Sequence, residues 1–179
     1  MLDLPCGAGR FWPLLAEKPG RRILAADANE DMLRVARQMQ PEKLVERVEC
    51  FQCSAFKTGL DDGSVDCILC MRLLHHIPES AQRLAMLREF HRVTRDTVCI
   101  SLWVDGNYMA HRRTKLEARR PQGNRHSRYV TNRRTVEAEF LQAGFQILGH
   151  FDFLRFYSMW RVYVLCKGQE MKATMQRKR

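Results

Sequence analysis

The sequence predicts an α/β fold: a mostly parallel sheet of seven strands with helices on both faces, closing in an antiparallel C-terminal hairpin. Three observations carry this. Short apolar runs alternate with helix-length segments through residues 1–104, the rhythm of a parallel sheet whose crossovers are helices. Residues 65–71, VDCILCM, are apolar at nearly every position, as a strand covered on both faces should be. Runs at 145–154 and 160–167 stand only about five residues apart, too close for a crossover helix, so those two strands pair antiparallel.

In order, strands are expected at 1–4, 23–26, 45–51, 65–71 and 97–104, with helices at 11–16, 31–39 and 78–93 between them. Leu84, Leu87 and Phe90 recur at helical spacing, and Pro78 suits a first turn, where its missing N–H costs nothing. Thr131 is expected to cap a further helix carrying Val136 and Phe140, with Gly144 as its left-handed stop. Residues 105–129 read as a long loop of low apolar content, with seven Lys and Arg against Asp105 and Glu117. Residues 169–179 read as a basic tail, and no internal repeat is found.

One domain suits 179 residues. No apolar run approaches the length of a membrane span, and Asp3 and Gly7 sit where a signal peptide would be basic and then apolar. A formal charge of +10 favours acidic partners, whether nucleic acid, phosphorylated small molecules or anionic lipid. Seven cysteines, an odd number in a chain able to build a core, point to reduced thiols and a cytoplasmic protein.

The first turn carries the functional signal. In an open α/β sheet the ligand lies beyond the carboxyl ends of the strands, against a glycine turn that lets backbone approach it. Gly7 and Gly9 begin a dinucleotide fingerprint, but its third glycine falls on Trp12, too bulky for close helix–strand packing. No Gly-Lys-Ser/Thr follows, which excludes a P-loop. Asp27 stands eighteen residues after Gly9 at the end of the second strand, where a carboxylate accepts from both hydroxyls of a ribose. The site asks for an adenosine-like ribose without a pyrophosphate.

DLPCGAGRF, AADANEDML, CSAFKTGLDDGSVDCILC, LLHHIPE and FLQAGFQI resemble, in order and spacing, successive motifs of the class I S-adenosylmethionine-dependent methyltransferases, a Rossmann-like family. The resemblance spans nearly the whole chain. It implies a methyltransferase domain over residues 1–168, with 105–129 as a basic substrate-cover insertion, and S-adenosyl-L-methionine as cofactor. It implies that Asp3 and the turn of Pro5, Cys6, Gly7, Ala8 and Gly9 face the methionine part, whose carboxylate lies near the following helix start. Asp27 would hold the ribose, with Ala28 and Met32 near the adenosine. Ser54, Ala55 and Phe56 would border the adenine, and Met71 and Arg72 would pass under the methionine end. Departures from the family pattern are Pro5 in place of the first glycine, which removes an amide donor, Ser54 where an acid is common, and a start inside strand one that leaves out the family's leading segment.

Cys50-x-x-Cys53 and Cys67-x-x-Cys70 approach a zinc spacing, but both pairs fall on or beside strands, where positions i and i+3 face opposite ways. No metal is expected. His75 and His76 follow the fourth strand at the ligand edge and are the candidate general bases, while Cys6 is structural in the resembled motif. Arg112, Arg113, Arg119 and Arg120 are the candidate clamp for an acidic acceptor. The expected function is methyl transfer from S-adenosylmethionine to an acidic small molecule or glycolipid. The alternatives are an RNA methyltransferase and a non-catalytic binding protein of the same fold.

Overall fold

The computed structural model describes residues 1–118 and 128–168. The elements run β1 (Leu2–Asp3), α1 (Trp12–Ala16), β2 (Ile23–Asp27), α2 (Glu30–Met39), α3 (Glu42–Val45), β3 (Val48–Gln52) and β4 (Val65–Cys70). After a 3-10 turn at Leu74–His76 come α4 (Ser80–Val93), β5 (Thr94–Trp103), α5 (Tyr108–Ala118), α6 (Arg133–Gln142), β6 (Phe145–Asp152) and β7 (Trp160–Lys167).

The seven strands form one sheet in the order β3-β2-β1-β4-β5-β7-β6. The first five are parallel, and β7 inserts antiparallel between β5 and β6. This is the expected Rossmann-like arrangement. Alternation along β2 builds both faces: Leu24 and Ala26 join a core with Phe90, Phe140 and Tyr163, whereas Ile23 and Ala25 join Trp12, Leu15 and Ala36. α2 shows why its sequence is helical. The Asn29 side chain accepts from Asp31 N at 2.8 Å, acids fill the first turn and Arg37 the last, matching the helix dipole.

Several boundaries differ from the sequence expectation. α4 starts at Ser80, and Pro78 lies ahead of it, its carbonyl accepting from Arg83 Nη1 at 2.6 Å. The cap of α6 is Asn132 rather than Thr131, its side chain accepting from Thr135 N at 3.1 Å. Residues 42–45 form the single turn α3, so β3 begins later than expected. The largest correction is α5, a helix inside the segment read as a loop. It has few buried residues, so no apolar stripe announces it. Its support is local: Asn107 Oδ1 accepts from Ala110 N at 2.9 Å, and Arg113 pairs with Glu117 one turn on.

α4 and α6 are joined by a buried ion pair. Arg83 donates to both oxygens of Glu139, at 2.8 and 2.6 Å, and also to the Ile77 carbonyl at 3.0 Å. Ser80 Oγ donates to the same carboxylate at 2.6 Å. Both charges are therefore desolvated but fully bonded, the condition under which a buried pair is tolerated.

Candidate active site

β1 ends at Asp3, and the chain turns at the carboxyl edge of the sheet before α1. The turn is fastened on both sides: Leu4 N donates to Leu69 O at 3.0 Å and Cys6 N to Ala26 O at 2.9 Å. Gly7 and Gly9 both have positive φ, 53° and 70°, which glycine adopts without steric cost. At Gly9 an added Cβ would come within 2.8 Å of the Trp12 ring. The indole that replaces the third fingerprint glycine thus packs directly on the second. At Gly7 an added Cβ would meet nothing within 4 Å, because that face opens into a cavity.

Asp27 closes the turn from below. Its two oxygens accept from Gly7 N and Asn29 N, each at 3.0 Å, leaving further lone pairs on both. The residue is buried, not an open strand end. Asp3 is fully buried and neither of its oxygens has a hydrogen-bond partner among the described residues. Burial, with the Asp27 charge adding to it, pushes the Asp3 carboxyl up to about 7. The Trp12 indole N–H lies close enough to oppose this, yet it forms no hydrogen bond and is itself buried without a partner.

The cavity above the turn measures about 370 Å³. Pro5, Cys6, Gly7 and Ala8 form one wall and Asp27 and Met32 another, with Met71, Arg72 and His76 opposite. Arg72 holds a left-handed φ of 66°, its amide donating to Ser101 Oγ at 2.8 Å. Arg10 and Phe11 also line the cavity; they follow Gly9 in the quoted motif and were overlooked there. The remaining expected residues lie outside the lining. Gly9 is covered by Trp12, and Asp3 lies beneath the turn. Ala28 O accepts from Gln52 Nε2 at 2.9 Å. Ser54 accepts from Phe56 N at 3.2 Å, Ala55 belongs to the core and Phe56 is exposed.

The two histidines diverge. His76 lines the cavity, whereas His75 is buried, stacked on Trp103 at 4.7 Å and met edge-on by Trp160 at 5.1 Å. Burial first, then the neighbouring His76 and the charges of Arg128, Arg72 and Arg113, push the His75 imidazole down to about 3. Arg113 lies over the Trp103 ring at 4.6 Å and Arg128 at 5.9 Å, cation–π contacts that draw the basic segment against the end of β5. Sequence reasoning missed Trp103, Trp160 and Arg128 here, because only the pairing of Trp103 with Trp160 across β5 and β7 brings them together. Arg112 is exposed on α5. Arg119 and Arg120 lie outside the described residues, as does the tail 169–179.

Cys50 lies on β3 and Cys67 and Cys70 on β4, with β2 and β1 between those strands, a gap of about 14 Å at the usual strand spacing. A second cavity of about 600 Å³ opens between the end of β5 and the β6–β7 hairpin. It has no glycine turn, and its Arg161 is already paired with Asp152 at 2.6 Å. The smaller cavity therefore carries the site.

Residues 1–97 match the family described as "Methyltransferase domain". The chain belongs to this methyltransferase family. A 37.1 kDa protein in transposon TN4556 of Streptomyces fradiae is 33% identical over 93 residues, covering 51% of this chain and 26% of that protein. Demethylmenaquinone methyltransferase of Lactococcus lactis is 30% identical over 105 residues, covering 56% and 40%. The chain thus spans well under half the length of these curated relatives. Magnesium protoporphyrin IX methyltransferase of Synechocystis PCC 6803, solved with S-adenosylhomocysteine bound, superposes with a TM-score of 0.75 at 19% identity, over 93% of this chain and 73% of that one. S-adenosyl-L-methionine is the family's cofactor, and the residues here fit it. Asp27 sets a carboxylate on the cavity wall with lone pairs left for a ribose, and the bare face of Gly7 leaves the approach open.

Proposed function

We propose that the chain is an S-adenosylmethionine-dependent methyltransferase whose acceptor is an acidic small molecule or glycolipid. The observation that carries this reading is the meeting, beside the cofactor cavity, of three guanidinium groups from separate segments: Arg72 after β4, Arg113 on α5 and Arg128 ahead of α6. Arg113 and Arg128 lie over the Trp103 ring that stacks on His75, and Arg72 lines the cavity together with His76. Arg113 is paired with Glu117, so an acceptor anion placed there would be drawn chiefly by Arg72 and Arg128.

When bound, S-adenosylmethionine supplies an activated methyl group on a positive sulfur. The chain's own residues do the rest. Asp27 offers its remaining lone pairs to the ribose hydroxyls, and the Gly7–Ala8 backbone approaches the methionine end. Asp3, buried below the turn, holds its proton up to near neutral pH, while Met32 and Met71 supply apolar walls. His76, on the cavity wall, takes a proton where the acceptor is a neutral hydroxyl; an amine, thiolate or ionised oxygen needs no base. His75 is enclosed and kept neutral, so it positions Trp103 and the arginines over it rather than moving protons. Ser54, Ala55 and Phe56, outside the cavity lining, are assigned to the adenine side by the family resemblance alone, and α5 with Arg128 is assigned to the acceptor side.

The test is transfer of labelled methyl from S-adenosylmethionine into fractionated cell extract. Label in acidic small molecules or glycolipids is the expected result. Label in ribonuclease-sensitive material would replace the acceptor with RNA. Cofactor binding with no label in any fraction would leave the non-catalytic binding protein.

A further inference from the structure

We propose that the β6–β7 hairpin tip docks this protein on an anionic lipid surface. Single exposed apolar side chains are ordinary, but contiguous ones mark a contact surface. Phe151, Phe153 and Phe156 are 68%, 78% and 72% exposed, and Leu154 and Tyr157 are open between and beside them. These five apolar side chains, with Arg155 among them, crowd seven residues of the last, edge-lying strand pair of the sheet.

The projection is built rather than loose. Tyr108 N and Met109 N at the start of α5 donate to Phe156 O and Tyr157 O, both at 3.0 Å, and the Tyr108 and Tyr157 rings stack at 5.5 Å. Phe156 holds φ at 65°, a conformation rare for an aromatic residue and kept only where surrounding contacts fix it. Phe153 N in turn donates to Trp160 O at 3.3 Å, so both ends of the tip are fastened.

Charge selects the occupant. Arg155 sits within the tip, over the Phe156 ring at 4.8 Å, and exposed Arg133 lines the same cavity as Phe156. Of the local acids, Asp152 is paired with Arg161, and Asp105, which accepts from Asn132 and from Arg133 N, is set against both Arg133 and Arg155 on the same cavity. An apolar wedge ringed by arginine suits a bilayer with anionic headgroups. A second copy would bring the same +10 charge, which opposes self-association through this face. No helix among the described residues is long and apolar enough to cross a membrane, so the contact is peripheral. The register places the tip well for lipid-borne acceptors. Trp103 pairs with Trp160 and Asp152 with Arg161, so the tip leaves the sheet at the same edge as the Gly7 turn.

Vesicle sedimentation tests this without cofactor or acceptor. The parent should sediment with vesicles of phosphatidylcholine and phosphatidylglycerol in equal parts, and at least tenfold more weakly with phosphatidylcholine alone. Phe153→Ser with Phe156→Ser should lower partitioning onto the mixed vesicles at least tenfold at an unchanged unfolding midpoint. Arg155→Glu with Arg133→Glu should abolish the preference for phosphatidylglycerol. As a readout independent of these losses, Phe153→Trp should gain a blue-shifted emission component on adding mixed vesicles. The proposal is overturned if the parent ignores both vesicle types, if the Phe double variant partitions like the parent, or if the tip instead mediates a dimer that this variant dissolves.

Discussion

Asp3 sets a testable pH dependence. Its folded-state carboxyl lies near 7 against an ordinary 3.8, so between these values the folded chain keeps a proton the unfolded chain has released. Stability must then fall as pH rises through that window, by at most about 4 kcal/mol for a shift of this size. Asp3→Asn should remove that fall and leave the protein more stable than the parent above neutral pH; thermal melts across the window read it directly, and matching profiles would refute the assignment. His75 acts at the other end. Its folded value near 3 lies below the ordinary 6.5, so the stability it contributes is intact above 6.5 and drains as pH falls toward 3. His75→Phe, which can keep the stack on Trp103, should flatten that acid limb in the same melts. At this scale much was legible. A strand-end acid at a fixed distance from a glycine pair singles out Asp27 in the sequence, and it lines the cavity, but its bonds to Gly7 and Asn29 require the register of β1 on β2, which no local pattern contains. The burial of His75 was hidden for the same reason, since its neighbours come from β5 and β7.

Helices and strands announced by an apolar period were found, and those held by other means were not. α5 rests on Asn107, the carbonyls of Phe156 and Tyr157 and one ion pair, none of which leaves a periodic trace. Its charge content was visible, and that is what the acceptor proposal uses. Arg113→Ser should raise the acceptor KM severalfold while cofactor affinity stays as in the parent. Arg112→Ser should do less, because that side chain is exposed and Arg113 lies on Trp103. Steady-state kinetics with calorimetry separates the two effects. The α4–α6 clamp makes an independent prediction. Arg83→Ala strips a buried carboxylate of its main partner, so denaturant unfolding should show a loss of about 3–5 kcal/mol. Arg83→Met with Glu139→Leu should lose markedly less, because no buried charge is left alone. Equal losses would mean that the ion pair matters only as packing.

Among the described residues, the candidate functional groups gather on one edge of the sheet. Parallel strands place the Gly7 turn, Asp27 and Arg72 at their carboxyl ends, and the antiparallel β7 returns Trp160 to the same edge beside Trp103. The alternation of strands and helices makes the parallel half of this plan legible in sequence. The insertion of β7 between β5 and β6 also follows once two strands lack room for a crossover, although which of them meets β5 does not. The central claim is that the cavity over the Gly7 turn holds S-adenosylmethionine with Asp27 on its ribose. Titration calorimetry of S-adenosylhomocysteine into the parent and Asp27→Ala tests it most directly, with circular dichroism of the variant as the check on the turn that Asp27 also fastens. The account predicts binding by the parent and, in a folded Asp27→Ala, a loss of about tenfold or more from the charged hydrogen bonds removed. A folded Asp27→Ala that binds as tightly as the parent would contradict it.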